Sequence, residues 1–209
     1  VETRPLAMIN NGTEYIHWSE RDGWAHFYLY DGQGNLKNQI TQGPFHCERI
    51  EAIDEENRVL YFVANGKQDG EDPYYTHLYR INFDGSGLKL LNPGDFNHSS
   101  NMNDKAQFFV DNYSRVNTTP VSKLFDNSGK EIMQLEEADL SQLLASGYQF
   151  PEPYKVKAAD GVTDLYGVMY KPFDFNPELD YPLIEYVYPG PQTEAVNNPF
   201  LLEWIDWTA

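Results

Sequence analysis

Three times along its first two-thirds the chain spells the same kind of tight turn: YDGQGNL (30–36), FDGSGLK (83–89) and FDNSGKE (125–131). Gly and Asn supply the positive φ that a tight hairpin demands, so each turn is read as the link between the third and fourth strand of a small sheet. The aspartates Asp31, Asp84 and Asp126 lie 53 and then 42 residues apart. A four-stranded blade of a β-propeller takes roughly 40–50 residues. The second interval fits that size, and the first fits with one inserted loop. NGKQDGEDPYY (65–75), polar and glycine-rich, is read as the insertion.

The segments around these turns read as short strands. EYIHWSE (14–20), AHFYLYD (25–31) and LKNQITQ (36–42) form a first group. RIEAID (49–54), RVLYFVA (58–64), THLYRIN (76–82) and LKLLN (88–92) form a second. SSNMN (99–103), AQFFVDNYS (106–114), PVSKLFD (120–126) and EIMQLEE (131–137) form a third. Several alternate, with Ala25, Phe27 and Leu29 set against His26, Tyr28 and Tyr30, which is the period of a strand. One such sheet cannot bury both faces alone, so blades stack and share apolar faces. Residues 1–137 are therefore expected to form about three blades of a larger ring, the first lacking its innermost strand. An open sandwich of the same eleven strands is the alternative.

After Glu137 the pattern changes. EADLSQLLASG (137–147) spaces Leu140, Leu143 and Leu144 as one helical face, with Asp139 and Gln142 as a capping-box pair and Gly147 as a C-terminal stop. GYQFPEPY (147–154) reads as a proline-stiffened linker. YKVKAADGVTDLYGVMYKP (154–172) then reads as two strands around Asp160-Gly161. YPLIEYVYPGP (181–191) reads as a further strand, its near-continuous apolar run implying burial on both faces. The organisation expected is blades over 1–137, a crossover helix and linker over 138–153, and the start of a second domain over 154–209.

A net charge of −17 argues against nucleic acid, because a phosphate backbone needs a basic face to replace its counterions, and against an anionic membrane surface. Cys47 is the sole cysteine, so no intrachain disulfide or cysteine metal cluster can form. No apolar run approaches the roughly 20 residues of a membrane-spanning helix. The chain begins at Val1 rather than Met, so an upstream part is expected to have been removed. Asn-x-Ser/Thr sequons begin at Asn11, Asn97, Asn112 and Asn117; glycan acceptors are the functional reading, and chance in an Asn-rich, strand-and-turn sequence is the one favoured. His17, His26, His46, His77 and His98 lack metal spacing, and the glycine-rich turns lead into strands rather than helices. No metal or cofactor is expected.

The succession of SERDGW (19–24), HLYRINFDGSG (77–87), a crossover helix, ADGVTDLYGVMYKPFDF (159–175), YPLIEYVYPGP and NPFLLEW (198–204) resembles the prolyl oligopeptidase family, closest to its dipeptidyl peptidase IV branch. The resemblance implies a mainly β fold: about three four-stranded blades of an eight-bladed propeller, followed by the first strands of an α/β-hydrolase domain. It implies that Tyr188 ends its strand as an oxyanion-hole hydroxyl, a fixed donor to charge that appears in the transition state. It implies that Arg21 and Asp22 hold turn geometry. The parent enzyme would release dipeptides from peptide amino termini, preferably after proline, by acyl transfer from a serine.

No Gly-x-Ser-x-Gly elbow occurs, and Ser86 sits in a hairpin. In this fold the Ser, Asp and His of the triad follow the oxyanion strand, so they are expected beyond residue 209, and the amine-binding glutamates before residue 1. Glu55-Glu56 and Glu136-Glu137 read as solvated charges. The chain alone is expected to be inactive. Its parent's peptide substrate and self-association through exposed blade edges are the expected partners. The resemblance leaves a homodimeric parent open and implies an exported, periplasmic or cell-envelope setting in a bacterium. A non-catalytic β-propeller that binds a partner is the rival reading.

Overall fold

The computed structural model describes residues 5–187, 196 and 198–200. The chain divides into two compact units, one of Val1–Tyr113 with Ser122–Glu136, the other of Ser114–Val121 with Glu137–Ala209.

Three four-stranded sheets make up the first unit, with strands in sequence order in each. The first holds β1 (Leu6–Ile9), β2 (Glu14–Ser19), β3 (His26–Asp31) and β4 (Leu36–Gln39). The second holds β5 (His46–Asp54), β6 (Val59–Asn65), β7 (Thr76–Asn82) and β8 (Lys89–Leu90). The third holds β9 (Asn97–Met102), β10 (Phe108–Ser114), β11 (Val121–Asp126) and β12 (Glu131–Glu137). These are the blades of a partial β-propeller. The segment 66–75 joins β6 to β7, where the insertion was expected.

β6 shows why the sheets stack. Its even residues Leu60, Phe62 and Ala64 share a core with Ile16, Phe27 and Ile40 of the first sheet. Its odd residues Val59, Tyr61 and Val63 share another with Phe109 and Phe125 of the third. A strand covered on both faces needs apolar residues at every position, and VLYFVA supplies them. Trp18 reaches from the first sheet to the second, its indole N–H donating to Cys47 O at 2.6 Å.

Three expectations for this unit need correction. The first blade does not lack a strand: β1 pairs with β2 from Leu6↔His17 to Ile9↔Glu14. Four residues after Pro5 are too few to show a period, so only the partner strand reveals them. The repeating turn is also registered differently. In the first, Asp31 N–H donates to Asn35 O and Gly34 N–H to Asp31 O; Asn82, Ser86 and Gly85 repeat this, as do Asp126, Lys130 and Gly129. Asn82 rather than Asp84 therefore opens the second turn. Asp84 lies inside it, accepting from Ser86 N–H and Oγ. The equivalent glycines Gly34, Gly85 and Gly129, all at positive φ, are 51 and 44 residues apart. The innermost strand of the third blade begins at Asn97, two residues before the expected SSNMN.

In the second unit α1 (Ser141–Ala145) is a single turn. Asp139 Oδ1 accepts from Ser141 N–H at 2.9 Å, and Gly147 takes φ +96°. The capping box with Gln142 does not form, because the helix starts at Ser141 and leaves Gln142 one position short of the residue such a box uses. β13 (Glu152–Lys157) and β14 (Asp164–Met169) pair antiparallel. Asp160 closes their turn by accepting from Val162 and Thr163 N–H.

The buried strand expected from YPLIEYVYPGP (181–191) does not form over its described residues, 181–187. Residues 181–187 join no sheet among the described residues, and Leu183 and Ile184 are 88% and 90% exposed. A central strand acquires its burial from strands at both edges and layers on both faces, and among the described residues no strand pairs with the segment.

Candidate functional site

Tyr188, which the resemblance places at the chemistry, lies outside the described residues, as do Pro189, Gly190 and Pro191. The sequence on either side of it meets the crossover region. Phe200 is buried with Leu140 and Tyr148 in an apolar cluster that Phe150 joins. Its ring lies 5.9 Å from Phe150 and 6.3 Å from Tyr148, both edge-on, a favoured aromatic geometry. Its N–H donates to Ser114 Oγ at 3.0 Å. Phe173 stands edge-on to Tyr148 at 5.9 Å, and Phe173 O accepts from Gln149 Nε2 at 3.0 Å. α1 and the linker after it thus seat residues 173 and 200.

Among described residues that could supply a nucleophile, Ser86 Oγ donates to Asp84 Oδ1 at 2.7 Å and accepts from Asn82 Nδ2 at 2.9 Å. No base reaches it. A second set has the composition of a triad. Asp111 Oδ1 accepts from Ser100 Oγ at 2.7 Å and from Asn92 Nδ2 at 3.1 Å, while its Oδ2 meets His98 Nδ1 at 2.7 Å. The wiring is wrong for catalysis, which needs the histidine between serine and aspartate. Here the serine proton goes to the carboxylate, and His98 Nε2 faces Gly94 O at 3.2 Å. All three side chains are buried, so no substrate carbonyl can approach. Their work is to satisfy one another between strands.

The same network reaches the insertion. His77 Nδ1 lies 3.3 Å from Asn92 O, its Nε2 2.8 Å from Glu71 Oε2, and its ring 4.8 Å from His98. Burial, and then the neighbouring His98, hold His77 below the usual histidine range against the opposing pull of Glu71. Gln68 Nε2 adds a bond to Tyr79 Oη at 2.8 Å.

A matching arrangement lies one sheet earlier. His26 Nδ1 meets Thr41 Oγ1 at 3.1 Å and its Nε2 meets Gly43 O at 2.9 Å. Thr41 Oγ1 also accepts from Phe27 N–H at 2.9 Å, and Cys47 Sγ donates to it at 3.4 Å. Burial pushes the Cys47 thiol up to about 12, so it stays protonated and inert. ITQGPFHC (40–47) and LNPGDFNH (91–98) are thus two copies of one connector between blades. Thr41 and Asn92 each accept from an N–H of the third strand of the sheet just left, Phe27 on β3 and Leu78 on β7, and Gly43 and Gly94 take φ of +123° and +141°. The sequence reading passed over this repeat. Its legible signal is Gly-x-Phe, beginning two residues after Thr41 and Asn92.

In the SERDGW turn, Arg21 lies over the Tyr28 ring at 4.3 Å and donates to Tyr30 Oη and, at 3.2 Å, to Ser19 Oγ. Asp22 accepts from Trp24 N–H and Gln39 Nε2. Both residues hold the turn. Glu55 accepts from Asn10 N–H at 2.7 Å, and Glu136-Glu137 end β12. His17, His26, His46, His77 and His98 all lie on strands. Among the described residues no three His, Cys, Asp or Glu side chains gather as a metal site.

Successive four-stranded sheets sharing alternate faces of the middle one, with a crossover helix and a hairpin after them, define a segment of a β-propeller protein. The chain belongs to the dipeptidyl peptidase IV (DPP IV) N-terminal region family, whose model matches residues 2–120. It is 31% identical over 174 residues to human dipeptidyl peptidase 8, covering 77% of this chain and 19% of that one. The crystal structure of Porphyromonas gingivalis dipeptidyl peptidase 4 superposes with a TM-score of 0.78 at 24% identity over 97% of this chain and 28% of that one, which shows the shared fold. A putative dipeptidyl aminopeptidase IV from Bacteroides ovatus does so at 0.75 with 26% identity, over 98% and 32%. The chain therefore spans less than a third of each of these relatives.

Proposed function

We propose that this chain is a portion of a dipeptidyl peptidase IV-like serine exopeptidase: blades over 1–137, a crossover over 138–153, and the start of the catalytic α/β-hydrolase domain over 154–209. The parent takes dipeptides from peptide amino termini, with a preference for cleavage after proline, through an acyl-enzyme. The observation that carries the reading is the family match over the blades, joined to relatives named as dipeptidyl peptidases whose likeness runs past the blades into the second unit. An exported or cell-envelope setting in a bacterium belongs to the same proposal.

Tyr188 supplies the oxyanion donor. Its phenol O–H donates to the carbonyl oxygen as the serine attacks and negative charge collects there, and the bond strengthens most in the transition state. The serine, its base and the amine-binding carboxylates come from other parts of the parent. On this reading the chain alone turns over no substrate, since no Gly-x-Ser-x-Gly elbow occurs in it. In the full-length parent, Tyr188→Phe should lower kcat on a chromogenic Gly-Pro amide by about 10²–10³-fold with KM little changed. Turnover by the pure 209-residue chain, or an unaffected kcat in the variant, would refute the assignment.

A further inference from the structure

The inserted segment 66–75 is held to the second sheet by side-chain ties. Glu71 Oε2 lies 2.8 Å from His77 Nε2, Gln68 Nε2 donates to Tyr79 Oη at 2.8 Å, and Lys67 Nζ stands 4.8 Å from the centre of the Phe45 ring. The sheet beneath has a neighbour on each face, sharing one core with the first sheet and another with the third. His77, at the start of β7, is 2% exposed, with Glu71 over one of its nitrogens.

What lies under this segment is short of protons. The ring nitrogens of His77 and His98 face four acceptors: Glu71 Oε2, Asn92 O, Asp111 Oδ2 and Gly94 O. A neutral imidazole has one N–H to give and an imidazolium has two. The distances place the protons. Both carboxylate contacts are short, 2.8 Å for His77 Nε2 and 2.7 Å for His98 Nδ1. Both carbonyl contacts are long, 3.3 Å for His77 Nδ1 and 3.2 Å for His98 Nε2. Two neutral rings fit all four, each with its N–H on a carboxylate and a bare nitrogen against a carbonyl. The ring centres are 4.8 Å apart, so charge on either ring opposes charge on the other.

We propose that 66–75 is an acid-opened strap: as it lifts, His77 loses Glu71, meets water and takes up a proton. The groups around His77 set the direction. Burial and then His98 of β9 hold docked His77 below the ordinary 6.5, against Glu71 on the strap. Asp111 of β10 faces His98 rather than His77. Tyr79, edge-on to His77 on its own strand, has its phenol pushed up to about 12, chiefly by burial, and stays neutral. Asp72, next to Glu71, acts the other way: burial raises its carboxyl, against the Tyr74 N–H and with Asp95 adding to it, so its proton favours docking. Docked His77 binds its proton more weakly than open His77 does. That share of docking is complete above pH 6.5 and weakens below it, by at most about tenfold per pH unit, until docked His77 protonates too. The device stands independently of the peptidase reading.

Hydrogen exchange at about pH 7 and about pH 5, corrected for intrinsic rates, tests it with the unsubstituted chain and His77→Gln. In the unsubstituted chain the protection of 66–75 should fall by about 3- to 20-fold toward the lower pH. It should stay below that of 59–64 at both, since the strap opens without the sheet unfolding. His77→Gln keeps an N–H donor without a titrating group, and should lose the fall. Ring-nitrogen chemical shifts of the unsubstituted chain give a reading that needs no variant, and they decide the matter if His77→Gln does not fold. At about pH 7 they should show His77 neutral with its proton on Nε2. Unchanged protection of the strap, an equal fall in His77→Gln, protection matching that of 59–64, or an imidazolium at His77 at the higher pH would each overturn the proposal.

Discussion

VLYFVA (59–64) and PLIEYV (182–187) are both largely apolar six-residue runs, and the structure treats them as opposites. The first is the second strand of the middle blade, paired with β5 and β7 and covered on both faces. The second joins no sheet among the described residues and holds Leu183 and Ile184 in solvent. An apolar run permits a doubly buried strand; it does not create one. Its backbone N–H and C=O groups need partners at two edges and its side chains need neighbours on two faces, and those come from elsewhere in the chain. For residues 59–64 the flanking blades provide them.

That contrast can be broken by mutation. Phe62→Ala removes a ring packed against Phe27 at 5.7 Å and Tyr79 at 5.6 Å, and should cost about 3–5 kcal/mol in urea unfolding. Ile184→Ser should stay within about 0.5 kcal/mol, as surface changes do. Comparable costs at the two positions would erase the distinction.

A smaller effect sharpens it, because the entry to β6 is also tied to the first blade by charge. Glu14 receives Arg58 Nη1 at 2.8 Å and is paired with Lys37. Hydrogen bonds from Arg58 and then Lys37 hold its carboxyl down at about 2, from an ordinary 4.5. The unfolded chain therefore takes up this proton more readily than the folded one. The stabilisation is complete above pH 4.5 and is lost as pH falls from there toward 2. Its size should be on the order of 1 kcal/mol, since both cationic side chains are nearly half exposed and screened. Glu14→Gln should remove that part of the acid sensitivity; urea midpoints that fall equally with pH in both proteins would show the pair to be idle.

Much of the blade architecture was legible because its signals are local. The inserted loop, THLYRIN and EIMQLEE fall where turn chemistry and alternation put them. β1 was not legible, since four residues carry no period and their pairing partner lies five residues further on. The second turn was misregistered because Asp84 sits inside a turn that Asn82 opens, yet accepts from the N–H two residues on just as Asp126 does where it opens the third turn. The histidine connectors were passed over because His26 and His77 look alike in sequence while Cys47 and His98, which share a position, do not. The oxyanion assignment rests on resemblance alone, as the phenol of Tyr188 lies outside the described residues.

Hydrogen exchange read by mass spectrometry tests the central claim most directly, that neighbouring blades rather than apolar composition decide which run is buried. Amides of 59–64 should exchange at least about 10³-fold more slowly than those of 182–187, after correction for intrinsic rates. Equal protection of the two segments, whether both slow or both fast, would contradict it.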